Sequence, residues 1–332
     1  MSGLNGKSGF TVVGIGEALF DQIPGNGAHL GGAPLNFAVH AKQMLASRGG
    51  RSALVSRVGN DDLGARLRSE LQGFGVETTA LQTDPDRATG VVDVAIGNDG
   101  PSYQIREDVA WDRIAFTDEL DTLSRSFHAV CFGTLARRGP VSASTIERFV
   151  QNGIDRDAVR MYDVNLRPGA TDRGLITRGL ELASIAKMND EEFPFVADMI
   201  GATSGAEADR AKAIIRAFDL NQLMLTRGAR GVIVYTLDGM YEGAPSKADI
   251  SSTSDAVGAG DSCGAAYVVR MLCGDDEHRA ASVANRVGAH VASRSGATPT
   301  LPHHILGEES AGTGVVSTRP VVPTPPRLPY PS

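Results

Sequence analysis

The residues with the clearest chemical potential lie in one stretch, Asp255-Ala-Val-Gly-Ala-Gly-Asp-Ser-Cys-Gly-Ala265. Two glycines, Gly258 and Gly260, and a carboxylate, Asp261, stand just where an apolar helix begins. The residues that follow, AAYVVRML, carry one charge and run to Gly274, which reads as a largely buried helix with a glycine stop. Free backbone N–H groups at a helix start, with the helix dipole behind them, favour an anion. The glycines leave no side chain in its way. An isolated Asp at such a place would serve as a helix cap, so the role of Asp261 depends on the rest of the chain.

Three other signals carry less. Gly6-Lys7-Ser8 has the ending of a phosphate-binding P-loop, but the position five residues before Gly6 is Met1, and the segment precedes a strand instead of following one. Gly14-Ile-Gly16-Glu-Ala-Leu19 follows a strand like a dinucleotide fingerprint, yet its third glycine is Leu19. Gly258-Ala-Gly260-Asp-Ser-Cys263 misses the third glycine in the same way, so a nicotinamide enzyme is disfavoured. The seven histidines show no HExxH or other ligand spacing, which argues against a dedicated metal cage.

The elements that must position these residues alternate. Short β-branched runs are FTVVGIG (10–16), SALVSRVG (52–59), HAVCFGT (128–134), VRMYDVN (159–165), IAKMN (185–189), LMLTRG (223–228) and GVIVYT (231–236). Between them lie helical patterns such as APLNFAVHAKQMLAS, DLGARLRSELQGFG, SASTIERFVQNG and EADRAKAIIRAF. This alternation predicts an α/β fold, a doubly wound, mostly parallel sheet with helices on both faces, in which ligands sit at the carboxyl ends of strands. One region breaks the pattern: TGVVDVAIGNDGPSYQIR (89–106) reads as a hairpin around an Asn-Asp-Gly turn and is a candidate lid. The end of the chain, TRPVVPTPPRLPYPS, is proline-rich and cannot pack a core, so disorder is expected over 307–332.

With 332 residues and 42% hydrophobic content, the chain can bury a full core. A formal charge of −7 gives no basic surplus for nucleic acid or an anionic membrane. Cys131, Cys263 and Cys273 lack metal-type spacing and read as buried thiols of a reducing compartment. The N-terminal residues lack the apolar core of a signal peptide, and no apolar run reaches membrane length, so a cytoplasmic protein is expected.

Five separated segments then share one explanation. GEALFDQIP (16–24), GGAPLNFAVHA (31–41), DVNLRP (163–168), KMNDEE (187–192) and DAVGAGDSCGA together resemble the ribokinase-like, or PfkB-type, sugar kinases. LTRGARG (225–231) and SRSGATPTLP (293–302) add two matching segments in the same order along the chain. The resemblance spans roughly residues 10 to 305 and implies one kinase domain over 1–306. A small β lid, from about 17–33 and 88–108, would be inserted in it.

The resemblance also implies roles. Asp261 would be the general base that takes a proton from a sugar hydroxyl as that oxygen attacks the γ-phosphate of ATP, worth roughly 100- to 10,000-fold in rate. The N–H groups of Gly258, Ala259 and Gly260 would form an anion hole, and Arg167 would face the transferred phosphate or a substrate anion. Asp21, Gly32 and Asn36 match sugar-binding positions, with a carboxylate and an amide suited to a vicinal diol. Asn189 and Glu192 match an Asn-x-x-Glu segment that places Mg²⁺ and phosphate through water, with Glu191 a solvated neighbour. Thr226, Gly228 and Gly231 match a strand and turn beside the ATP phosphates, with Asn285 flanking adenine. K⁺ is a further expectation, at Asp255, the carbonyls of Val257, Val291, Arg294 and Gly296, and the Thr300 hydroxyl. From the lid, Tyr103 and Arg106 could reach the substrate. Trp111, the only tryptophan, reads as core in preference to a sugar-stacking ring.

The GEALFDQIP opening with GGAPLN and DVNLRP is most similar to fructokinases, which would make fructose 6-phosphate. A small Cys263 after GAGD departs from the family pattern, so ribose, 2-keto-3-deoxygluconate or a nucleoside stays open as acceptor. The partners expected are a small sugar and ATP, with no nucleic acid and no membrane, in a monomer or in a homodimer through the lid. A rival of another class is a sugar- or nucleotide-binding regulator that keeps the fold without activity.

Overall fold

The protein is described from a computed structural model covering residues 9–306 except 24, 26, 98–99, 168–169, 250 and 252–253; the side chains of 23, 94–97 and 100–103 are likewise outside the description. Gly6-Lys7-Ser8, the tail at 307–332 and the Tyr103 side chain therefore lie outside the described residues.

The chain begins with β1 (Thr11–Ile15), β2 (Leu19–Ile23), β3 (Gly27–Gly31), α1 (Ala33–Leu45), β4 (Arg51–Gly59), α2 (Asp62–Gly73) and β5 (Leu81–Asp84). A hairpin follows, β6 (Gly90–Gly97) and β7 (Gly100–Ile105), and then α3 (Asp118–Ser124), β8 (Ala129–Gly133), α4 (Pro140–Gln151), β9 (Val159–Asp163) and α5 (Arg173–Leu182). The last part holds β10 (Ile185–Asn189), α6 (Glu192–Met199), α7 (Glu207–Phe218), β11 (Gln222–Thr226), β12 (Val232–Tyr235), β13 (Met240–Glu242), α8 (Ala259–Leu272) and α9 (Glu277–Ala292). The seven strands expected from their β-branched runs all form, within one or two residues of the expected ends.

Among the described residues, nine strands make the main sheet in the order β13-β12-β11-β10-β9-β8-β1-β4-β5. It is parallel from β5 to β11, with antiparallel β12 and β13 closing one edge. Alternate residues of each strand face opposite cores, as the pleat requires. Val13 and Ile15 pack with α3 to α7 on one side, whereas Val12 packs with α1, α8 and α9 on the other. Burial on both faces explains why strands such as TVVGI read as continuous apolar runs. From β1 the chain winds one way to β4 and β5 and later the other way from β8, so the crevice for a ligand lies at the carboxyl ends around β1 and β8.

Gly14 explains one of the misleading sequence signals. A Cβ there would stand 2.0 Å from the Pro34 carbonyl oxygen, so the glycine lets α1 lie against β1 and implies no bound nucleotide. The remaining four strands make a second sheet, β3-β2-β6-β7, in which β2 and β6 are parallel and the outer pairs antiparallel. Trp111 is fully buried under the start of this sheet, where a Cβ on Gly90 would meet its Nε1 at 2.4 Å. The Arg138 guanidinium lies over its ring, 4.1 Å from the centroid. Of the three free thiols, Cys131 and Cys263 are buried as expected, but Cys273 is only half-buried, since it sits at the open C-cap of α8. Among the described residues, no helix is long and apolar enough to cross a membrane.

Candidate active site

The site is assembled where the carboxyl ends of β1, β9 and β10 meet the start of α8. Gly258 is the N-cap of α8 in the left-handed region, φ 76°. A Cβ there would lie 2.4 Å from the Ala297 carbonyl oxygen, so both the conformation and the close approach require glycine. That carbonyl is held from behind by the buried His40 ring of α1, Nε2 to O 2.9 Å. Burial pushes the His40 imidazole down to about 4, so it stays neutral at ordinary pH. The glycine turn therefore rests on a fixed support. Among the described residues, no acceptor meets the N–H groups of Gly258 and Gly260, whereas the Ala259 N–H donates to the Ala256 carbonyl at 3.2 Å. Of the three expected anion-hole donors, Ala259 is thus turned inward in this state.

Asp261 is the third residue of α8, and the Asn36 side-chain amide of α1 donates to its Oδ2 at 2.8 Å. The two residues are 225 positions apart in sequence, and both come from segments expected to handle the same substrate. The Asn36 amide oxygen, Oδ1, is buried without a partner. Burial and the nearby Asp163 push the Asp261 carboxyl up to about 6, against the pull of Lys187, Asn36 and Arg167.

Beneath Asp261 lies a buried ion pair with no part in the expected set of site residues. Lys187 Nζ donates to Asp163 Oδ2 at 2.8 Å, and the two residues are register partners, Lys187 in the middle of β10 and Asp163 at the end of β9. Their side chains are 8% and 6% exposed. Burial alone would lower the affinity of Lys187 for its proton, but Asp163 and Asp261 outweigh it and hold the ammonium firmly charged. Glu17, just after β1, is a further buried carboxyl, with Oε2 lacking a partner. Burial pushes it up to about 7, Asp261 adds to the rise, and Arg167 opposes it. Sequence reasoning passed over all three. For the ion pair the available signal was the lone Lys187 in the apolar strand IAKMN and Asp163 at the end of VRMYD.

The remaining expected residues fall into groups. Arg167 is exposed and donates to the Leu166 carbonyl at 3.0 Å, yet its charge bears on Glu17, Asp21 and Asp261 alike. Asp21, in β2, is half-buried, and burial raises its carboxyl against the influence of His29 and Arg167. Gly32 is the N-cap of α1, next to Glu17. Asn189 and Glu192 clasp each other's loop. The Asn189 side chain accepts from the N–H groups of Glu191 and Glu192, both at 2.9 Å. Glu192 accepts from the Asn189 N–H at 2.9 Å and the Leu166 N–H at 2.8 Å. Each Glu192 oxygen retains lone-pair capacity for a water, which fits a magnesium ion held through its hydration shell.

Thr226 ends β11, Gly228 and Gly231 flank the next short turn, and Asn285 of α9 lies against Gly231, 2.9 Å from where a Cβ would be. Thr226 is also the register partner of Asn189 across β10 and β11. Asp255 ties its loop to the segment after α9, accepting from the Val257 N–H at 3.1 Å and the Gly296 N–H at 3.0 Å and donating its own N–H to Arg294. Val291, in the last turn of α9, accepts from the Arg294 N–H, and Thr300 accepts from His290 through its carbonyl. Among the described residues, there is no group of three or more His, Cys, Asp or Glu side chains that could hold a metal ion. Arg106 is the residue the structure leaves apart. It is exposed, and Asp93 across the hairpin accepts from its Nε and Nη2, both at 2.8 Å.

The structure thus holds a carboxylate at a glycine-lined helix start, an amide from the first helix upon it, and an Asn-x-x-Glu clasp at the end of β10. A family model described as pfkB family carbohydrate kinase matches residues 21–304. The chain belongs to that family. Its members are phosphotransferases, and this chain is a sugar kinase of that kind. It is 27% identical to a fructokinase of Escherichia coli over 87% of this chain and 95% of that one. It is 27% identical to the aminoimidazole riboside kinase of Salmonella typhimurium, over 87% and 91% of the two chains. Among solved structures it superposes on a fructokinase variant of Vibrio cholerae in a form with fructose, ADP and potassium bound. That match has a TM-score of 0.72 at 23% identity and covers 91% and 98% of the chains.

Proposed function

We propose that this sugar kinase is an ATP- and Mg²⁺-dependent fructokinase that converts fructose to fructose 6-phosphate. The observation that carries the reading is the 2.8 Å contact between Asn36 and Asp261, which joins the sugar-binding segment to the base. Asp261 Oδ1 or Oδ2 takes the proton of the primary hydroxyl as its oxygen forms a bond to the γ-phosphorus of ATP and the bond to the β-phosphate oxygen breaks, releasing ADP. The proton then leaves Asp261 for solvent with the product. Phosphoryl transfer asks mainly for positioning and charge neutralisation. The N–H groups of Gly258 and Gly260 supply donors at the helix start, and Arg167 supplies a mobile cation facing Glu17, Asp21 and Asp261. Mg²⁺, when bound through water near Glu192 and Asn189, neutralises phosphate charge. Potassium would be held by the Asp255 loop and the segment after α9, which stiffens the turn at Gly258.

Asp21 and Asn36 offer an acceptor and a donor to the sugar hydroxyls. The β3-β2-β6-β7 sheet acts as a lid that excludes water from the reacting phosphate, and it carries the surface through which two chains would pair. On this reading Arg106 reaches the substrate only by leaving Asp93. A second acceptor class is favoured by the equal identity to the aminoimidazole riboside kinase, a ribose-bearing nucleoside in place of a hexose.

The test is ADP release with Mg-ATP and K⁺ against fructose, ribose, 2-keto-3-deoxygluconate, aminoimidazole riboside and no acceptor. Fructose-dependent release is expected. Release with another acceptor alone would move the specificity, and ATP binding without turnover of any acceptor would favour the regulator.

A further inference from the structure

We infer that Lys187 is a positioning residue for phosphoryl transfer: its ammonium, clamped by Asp163 beneath the first turn of α8, keeps the Asp261 carboxylate in its ionised form. The inference rests on the reading of Asp261 as the base and goes beyond it, since it concerns what prepares that base.

The geometry leaves the lysine little other purpose. Lys187 Nζ lies 3.5 Å from where a Cβ on Gly260 would stand, and its Cδ lies 3.3 Å from the equivalent point on Gly264. The side chain thus runs along the underside of α8, with its charge ending below Gly260 and Asp261. Larger residues at either glycine would crowd it. Asp163 holds it with one oxygen, Oδ2, and its other oxygen is buried without a partner. A buried ion pair of this kind is weak evidence for stability, because desolvation offsets attraction. The cost is better explained by a task for the charge.

That task is visible in what surrounds Asp261. The titratable and charged groups facing it are Glu17 after β1, Cys131 of β8, Asp163 of β9, Arg167 in the following loop, Lys187 of β10 and Cys263 of α8 itself. Two of these are further carboxyls, and burial acts in the same direction as they do, so Asp261 tends to hold its proton. Arg167 is exposed and its attraction is screened by water. Lys187 is the buried cation in the set, and among the described groups only the neutral Asn36 amide joins it in opposing the carboxyls from within the protein. A base that is protonated at working pH cannot accept the hydroxyl proton.

The two members of the pair act on Asp261 with opposite sign, and this separates positioning from mere packing. Removing the lysine charge in Lys187→Met should raise the affinity of Asp261 for its proton and move the acid limb of kcat/KM to higher pH by about one unit. Removing the negative charge in Asp163→Asn, which still offers Lys187 an acceptor oxygen, should move the limb to lower pH. Lys187→Arg should leave it close to wild type. The same three variants are titrated by carboxyl ¹³C NMR on aspartate-labelled protein, with the Asp261 resonance assigned by its loss in Asp261→Asn. If Lys187→Met does not fold, the direction of the Asp163→Asn shift decides. Opposite displacements in the two variants are the expected result. Displacements of the same sign, or none, in both readouts would overturn the inference, whatever the melting temperatures do. Wild-type protein that turns over no acceptor would defeat the kinase reading instead, and the NMR titration would still decide for or against Lys187.

Discussion

Two ion pairs of equal length, in different parts of the molecule, do different things. Lys187 and Asp163 meet at 2.8 Å under α8 with side chains 8% and 6% exposed. Arg106 and Asp93 meet at 2.8 Å across the lid hairpin with side chains 52% and 42% exposed. On the lid, water and salt screen the charges, and a pair of this type contributes about 0–1 kcal/mol. Under α8 the same distance acts in a medium of low polarisability, so the charge reaches past its partner to Asp261. What separates the two is burial, and burial here comes from α8 lying across the ends of β9 and β10.

The largest effect should come from the group that the buried pair serves. Asp261→Asn keeps the shape and removes the base, and turnover should fall roughly 100- to 10,000-fold. The same change should raise Tm by roughly 2–4 °C at pH 8. The sign follows from linkage. The folded-state pKa of Asp261 is raised, to about 6, so above that pH an ionised carboxyl is held against its preference and costs stability. The cost disappears as pH falls through 6 towards the unfolded value near 4, so the stabilising effect of the substitution should shrink over that window. A variant that melts lower at pH 8 would break the account of Asp261 as a strained, buried base.

Asn36→Ala should come next. It removes a hydrogen bond to a charged acceptor, for which a loss of roughly 10- to 100-fold in kcat/KM is expected. Because that bond favours the ionised form, the acid limb should also move to higher pH. In the wild type, kcat/KM should fall about tenfold per pH unit below about 6, as Asp261 takes up its proton. A profile flat to pH 5 would contradict the role of that carboxyl. The smallest effect belongs to the lid. Arg106→Ala should change stability by less than about 0.5 kcal/mol, and that change should vanish in high salt. A larger, salt-insensitive loss would show that the two pairs differ less than their burial implies.

Much of this was legible in the sequence, for stated reasons. The apolar strands and amphipathic helices announced the sheet through their periodicity, and Asp261, Asn36 and the Asn189–Glu192 clasp through their motifs. What could not be read were features created by distant packing. A lone Lys in the middle of IAKMN and a terminal Asp in VRMYD carry no sign of burial in the sequence, and α8, which packs over them, begins 72 residues after the Lys and 96 after the Asp. The strands β2 and β3 lay within the segment that the resemblance gave to a β lid, but their periodicity did not show them, for a related reason. The segment GEALFDQIPGNGAHLGG has no sustained alternation, and its pairing depends on β6, about 70 residues away. The inward turn of the Ala259 N–H is a matter of one backbone angle at the cap, below the reach of residue type.

The central claim is that Asp261 is the base of a sugar kinase. It is tested most directly by measuring fructose-dependent ADP release and ATP binding on one preparation of Asp261→Asn beside wild type. The account predicts ATP affinity within about threefold of wild type and turnover lower by at least about 100-fold. Turnover within about tenfold of wild type, with ATP still bound, would contradict it.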